Sequence, residues 1–284
     1  MTKINSIKFN TVYVIESLDY KNEKETGKEL YDDLLRWKEF QLGNPFKAVL
    51  FQVKNRNEFF KSLDDIKTDC DENNVFPMIH FEIHGNRKGL GLISNEFIKW
   101  KELYQNLIDI NSIIGNNLFI TLAVCKGAYL MKLIKLNNPA PFWGFIGSFD
   151  IIDVDDILIR YNEFYLELLE SFDIRSAFNK LQNANSRFPS KYRFINSELT
   201  FKEVYANYIK VKTSQNGLKE RAKQVQIDEN LKFNSRAEKR RFEKSFKKKV
   251  KETKNEFYQK HSEIFFMIDK FPQNRKRFNV NKSV

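Results

Sequence analysis

Apolar residues cluster in this chain as short runs separated by amphipathic stretches. Thr11 to Glu16 is a β-rich run and predicts a first strand. Gly27 to Phe40 carries Leu30, Leu34, Leu35 and Trp37 at near-helical spacing, and Gly43-Asn44-Pro45 stops it. Phe46 to Val53 reads as a second strand. Asn57 to Asp71 reads as a helix with Phe59, Phe60, Leu63 and Ile66 on one face. Phe76 to Gly85 and Leu118 to Gly127 are the two most apolar runs, with the aromatic and β-branched content of buried strands. Between them, Gly89 to Leu92 reads as a small hairpin or a loop, and Ser94 to Ile110 as a helix capped at Ser94 or Asn95. Gly127 to Leu136 should be helical. Phe142 to Ser148 reads as a fifth strand, Asp155 to Asn185 as two helices broken near Ser171 to Asp173, and Tyr192 to Ile195 as a weak sixth strand.

Strands alternating with helices predict a doubly wound, mostly parallel α/β sheet of about six strands with flanking helices. The pattern changes beyond Thr200. Phe201 to Val211 is helical, residues 212–237 are polar and weakly patterned, and Arg236 to Lys260 is a highly charged helix with Phe242, Phe246 and Val250 on one face. Ile264 to Ile268 is apolar again, and Pro272 to Val284 is a basic tail.

Charge sharpens that division. The net charge is +11, yet residues 200–284 hold 23 of the 48 Lys/Arg and only 10 of the 37 Asp/Glu. The basic character belongs to the last third alone. Residues 1–199 therefore read as one α/β domain and residues 200–284 as a basic, mainly helical C-terminal extension. The 27 Phe and 11 Tyr exclude a disordered composition. No apolar run reaches a membrane span, and Met1 to Asn5 lacks the apolar core of a signal peptide. Cys70 and Cys125 do not make a disulfide framework. These features predict a reduced, cytoplasmic protein without a membrane partner.

The chemistry sits where the two apolar runs end. A His at the end of one central strand and a Cys at the end of its neighbour meet at the carboxyl edge of a parallel sheet, where open α/β sheets place their sites. His84 can take the Cys125 thiol proton and pass it to a leaving amine. The backbone N–H groups of Cys125 and Gly85 are candidate oxyanion donors, because Gly85 lets the backbone approach a substrate carbonyl. Cys70 reads as a small buried hydrophobe or a helix-end surface thiol. His80, Glu82 and His84 share one strand face. His80 reads as a hydrogen-bonded core His, and Glu82 as solvated or paired with a loop rather than orienting His84. His80, His84 and Cys125 lack a compact ligand spacing, so no metal or other cofactor is expected. His261, in a charged helix, reads as solvated.

An apolar strand ending in His-Gly, a helix, then an apolar strand ending in Cys resembles the caspase-like cysteine peptidases, in particular the bacterial CHAT-domain proteases. Phe145-Ile146-Gly147-Ser148 followed by Asp153, then Phe164 to Glu170 and Ile174 to Phe178, is similar to the CHAT arrangement after its fifth strand. The resemblance covers residues 11 to about 199. It implies a caspase-like fold, an endopeptidase with His84 as base, Cys125 as nucleophile and Gly85 as oxyanion donor, a protein substrate, and a gated effector role in bacterial antiviral defence or cell suicide. An activating ligand or regulatory partner goes with such gating. Ala123 stands where metacaspases carry an Asp and caspases a Gln to read the substrate. Asp150 and Asp153, just after the fifth strand, are the candidate S1 acids for a basic side chain. Asp153, Asp155 and Asp156 can equally cap the following helix. The basic extension reads as a helix docking on the protease domain or an acidic partner, or as a nucleic-acid contact. A catalytically dead scaffold that binds through that region is the alternative function.

Overall fold

The computed structural model describes residues 7–43, 46–184 and 187–280. The expected stop at Asn44-Pro45, the helix end at Asn185, the first residues of the chain and the last four of the basic tail lie outside the described residues. The chain forms two compact units. The first holds residues up to Ile134 together with Ala140–Ser197, and the second holds Lys135–Pro139 with Glu198 onward. The composition break at Thr200 falls inside the helix that spans this boundary.

The first unit is an α/β fold around a mostly parallel sheet. Its core strands are β1 (Thr11–Ser17), β2 (Lys47–Gln52), β3 (Pro77–Asn86), β6 (Phe119–Leu122), β7 (Gly144–Ser148) and β8 (Tyr192–Asn196), in spatial order β2-β1-β3-β6-β7-β8. All pairs in that order are parallel except β7 with β8, which is antiparallel. Two short strands, β4 (Gly89–Gly91) and β5 (Phe97–Lys99), extend β3 as an antiparallel hairpin.

β1 is buried along its whole length, as expected for a strand covered on both faces. β3 shows how each face is filled. Phe81 meets Phe59 of α3 (Arg56–Glu72) at a centroid distance of 6.3 Å. On the opposite face, His80 meets Tyr161 and Tyr165 of α5 (Val154–Ser171) at 4.7 and 5.5 Å. Asn55 caps α3 by accepting from the Glu58 N–H, and Asp153 caps α5 by accepting from the Asp155 N–H.

Several local expectations shift. The segment from Ser94 is not the start of a helix. Leu90 and Ile98 are both fully buried and pair across β4 and β5, and α4 (Trp100–Ile113) begins five residues later than the proposed cap at Asn95. There the Glu102 carboxylate accepts from the Lys99 N–H. The first helical stretch is α1 (Thr26–Leu30) and α2 (Arg36–Leu42) joined by a π-turn at Tyr31–Leu35. That turn leaves Leu30 and Leu35 inside but Trp37 exposed. Gly127–Leu133 is a 3₁₀ helix. The two helices predicted after β7 are α5 and α6 (Ile174–Asn183), broken at Phe172 in the left-handed region.

The second unit is helical: α7 (Ser197–Lys212), α8 (Gln215–Asp228), α9 (Arg236–Glu252), α10 (Lys254–Phe265) and α11 (Asn274–Arg277). The polar segment 212–237 therefore contains a helix that periodicity missed. Phe201 is buried among Tyr258, Phe265 and Phe266, with centroids at 5.4, 5.3 and 5.1 Å. Phe242 stacks on Phe246, and Val250 is buried, so the apolar face of α9 packs as its spacing predicts. His261 is half-buried beside Tyr208 and Phe257 rather than solvated, and burial lowers its pKa. No helix among the described residues is long and apolar enough to cross a membrane.

Candidate active site

The parallel strands β1, β3, β6 and β7 all end at one edge of the sheet. Between β1 and β3 the chain reverses the direction in which it adds strands, since β2 lies on one side of β1 and β3 on the other. Such a switch point leaves a crevice at the carboxyl ends of the strands. A cleft of about 360 Å³ opens there. It is lined by Leu18 and the segment Asn22–Lys24 after β1, by Glu82, Ile83 and His84 of β3, by Ala123 and Cys125 after β6, and by Ile152 and Val154 after β7.

His84 and Cys125 thus share one cleft. They are not hydrogen-bonded to each other. The His84 Nε2 lies 2.6 Å from the Glu23 Oε1. The Cys125 Sγ accepts from the Ile152 N–H at 3.4 Å and lies 3.7 Å from the Ile152 carbonyl. Among the described residues, the Cys125 backbone N–H meets no acceptor. Beyond the cysteine the backbone turns sharply, because Lys126 has φ +59° and its N–H is held by the Asp150 carbonyl at 2.9 Å.

Gly85 is required where it stands. A Cβ there would overlap the Val124 side chain and lie 2.8 Å from the Cys125 carbonyl. The end of β3 therefore packs closely against the Val124–Cys125 turn.

Glu23 was not legible as a functional residue. It lies in a polar turn with no hydrophobic period. The turn is ordered by Asp19, whose carboxylate accepts from the Lys21 N–H and from the Asn22 amide, and whose carbonyl accepts from the Glu23 N–H. The other Glu23 oxygen accepts from the Asp19 N–H at 2.7 Å. Partial burial opposes ionisation of Glu23, but the Asp19 N–H and the His84 ring outweigh it and hold the carboxylate below its ordinary range. The only available signal was its place, three residues before α1 in the loop that follows a strand ending at the cleft.

Glu82 corrects the expectation of a solvated or loop-paired side chain. It is buried, and its two oxygens accept from Thr26 Oγ1 at 2.9 Å and from His80 Nε2 at 3.0 Å. His80 Nδ1 in turn meets Thr121 Oγ1 at 2.7 Å, which meets the Tyr165 hydroxyl at 2.8 Å. One proton arrangement with a neutral ring satisfies every member: Tyr165 donates to Thr121, Thr121 to His80, His80 to Glu82, and Thr26 to Glu82. His80 is the hydrogen-bonded core histidine expected of it.

Neither candidate S1 acid lines the cleft. Asp150 is exposed, and Asp153 uses its carboxylate as the α5 cap. Cys70 is buried in α3, and burial, with Asp69 and Asp71 nearby, pushes its thiol up to about 12, so it is not a competing nucleophile. Among the described residues, no group of three or more His, Cys, Asp or Glu is placed to hold a metal ion. No protein-family model matches this chain, and no curated protein matches it.

Proposed function

We propose that the chain is a cysteine endopeptidase of caspase-like type, with Cys125 as nucleophile and His84 as general base. The observation that carries this reading is the cleft itself. It holds a half-buried thiol, an imidazole fixed by a carboxylate, and an open backbone N–H beside the sulfur. His84 lies on β3 and Cys125 three residues beyond the end of β6, the third and fourth core strands in chain order, which is the order the resemblance implies.

The Glu23 carboxylate accepts the His84 Nε2–H, which leaves Nδ1 as the basic nitrogen. With a peptide carbonyl in the cleft, the Cys125 Sγ attacks the carbonyl carbon and its proton passes to His84. The Cys125 N–H and the Gly85 N–H are the donors assigned to the developing oxyanion in this reading. The tetrahedral species collapses by breaking the C–N bond, and His84 returns the proton to the leaving amine. Water, deprotonated by His84, then hydrolyses the thioester and restores the thiol. Catalytic hydrogen bonds are often long before substrate binds, so the present Ile152 contact of the sulfur fits a resting thiol.

The test is a positional peptide-library screen of the wild type against Cys125→Ala. Cleavage by the wild type and none by the variant, at equal thermal stability, is expected. Cleavage retained by Cys125→Ala would end the proposal.

A further inference from the structure

Peptide recognition at this site needs a subsite beside Cys125, and the residues there are apolar. Leu18, Ile83, Ala123, Ile152, Val154 and Ile157 line the cleft. They arrive from four separate segments: the residue after β1, the end of β3, the residue after β6, and the stretch from Ile152 into the first turn of α5. Ile152 reaches the sulfur through its own backbone. Ile152 and Ile157 are buried, whereas Val154 is 44% exposed, so the wall runs from the interior to the mouth.

The charged side chains of the cleft are all engaged. Glu23 is held by His84 and the Asp19 N–H. Glu82 is held by Thr26 and His80 and is 2% exposed. The Lys24 Nζ sits 3.7 Å from Glu29 and 3.9 Å from Asp155. A substrate lysine or arginine would find no free carboxylate, and its desolvation would go uncompensated. A substrate aspartate would meet only Lys24, shared between two acids. An aliphatic side chain meets matching surface and disturbs none of these pairs.

We infer that the substrate class is a polypeptide with a medium-sized aliphatic residue, Leu or Met, on the acyl side of the scissile bond, selected by the wall formed by Leu18, Ile152, Val154 and Ile157. The inference rests on the peptidase reading. It replaces the basic preference that Asp150 or Asp153 would have given.

Peptide acyloxymethyl ketones with Leu, Lys or Asp next to the warhead test it in the full-length protein. The readout is the labelling rate of Cys125 by mass spectrometry. The Leu probe is expected to label roughly tenfold or more faster than the other two, the scale on which apolar pockets discriminate. Val154→Asp adds an acid to the exposed part of the wall and should move the preference toward Lys. Ile157→Ala should slow the Leu probe and spare the Lys probe. Faster labelling by the Lys or Asp probe overturns the pocket while leaving the peptidase reading standing. No labelling by any probe, with Cys125 still alkylated by iodoacetamide, overturns both.

Discussion

At the scale of single residues, two carboxylates have their pKa shifted in opposite directions, Glu23 at the cleft and Glu16 outside it. Glu23 is kept ionised by its contacts, and its work is to hold one face of the His84 ring. In Glu23→Ala the ring is free to turn and to change tautomer. We expect kcat to fall by roughly 10- to 100-fold, part of what a positioned acid–base group supplies, with KM nearly unchanged. Nitrogen NMR of His84 in a Cys125→Ala background should show the Nε2–H tautomer, and a mixture once Glu23 is lost; an unchanged spectrum would deny Glu23 its role. Glu16 is the reverse case. Burial raises its pKa, the Gln52 amide and Lys28 N–H oppose the rise, and Glu82 and Glu25 add to it. Because the folded value is raised, the native state binds the proton more tightly than the unfolded chain. The contribution to stability is full below the unfolded pKa of about 4.3 and is lost as pH rises through the folded value. Glu16→Gln should therefore raise Tm at pH 8, by about 2 °C, and gain less at pH 4. Equal shifts at both would contradict the assignment.

At the scale of elements, the strands were legible and their partnerships were not. The apolar runs ending at Ser17, Gly85 and Cys125 are long, and a strand covered on both faces has little choice of conformation. The run at Tyr192 says nothing about direction, and β8 proves antiparallel to β7. The segment Phe97–Lys99 is too short for its period to separate strand from helix, and only pairing with β4 decides it. Polar side chains are harder still. Glu82 alternates with His80 and His84 as an exposed residue would, and its burial depends on Thr26, which lies 56 residues away in sequence. Glu23 reaches the site from a turn 61 residues away. The His80 chain ties α1, β3, β6 and α5 together, so one hydroxyl can test it. Thr121→Val keeps the shape and deletes the link, leaving the His80 Nδ1 and the Tyr165 hydroxyl buried without a partner. The cost should be about 1–3 kcal/mol in denaturant unfolding. A neutral result would mean that the arrangement is not cooperative.

At the scale of the whole molecule, composition divides the chain almost where its contacts do. The basic run begins at Thr200, and the second unit takes over from Glu198. What composition does not convey is that this unit has an aromatic core of its own. Its surface is so rich in lysine and arginine that the average hides Phe201, Tyr258, Phe265 and Phe266, which come together from α7, α10 and the turn beyond it. Phe266 also stacks on Phe278 at 4.7 Å, which joins the segment around α11 to the same cluster. Phe201 is 1% exposed and lies at the centre of these rings. Replacing it by alanine removes that centre, and such cavities cost about 3–5 kcal/mol. A unit with a separate core should open as a separate cooperative block. Phe201→Ala should then speed amide hydrogen exchange throughout α7, α8 and α10 while β1, β3 and β6 keep their protection. Faster exchange in β1 and β3 to the same extent would show that the two cores share one unfolding transition.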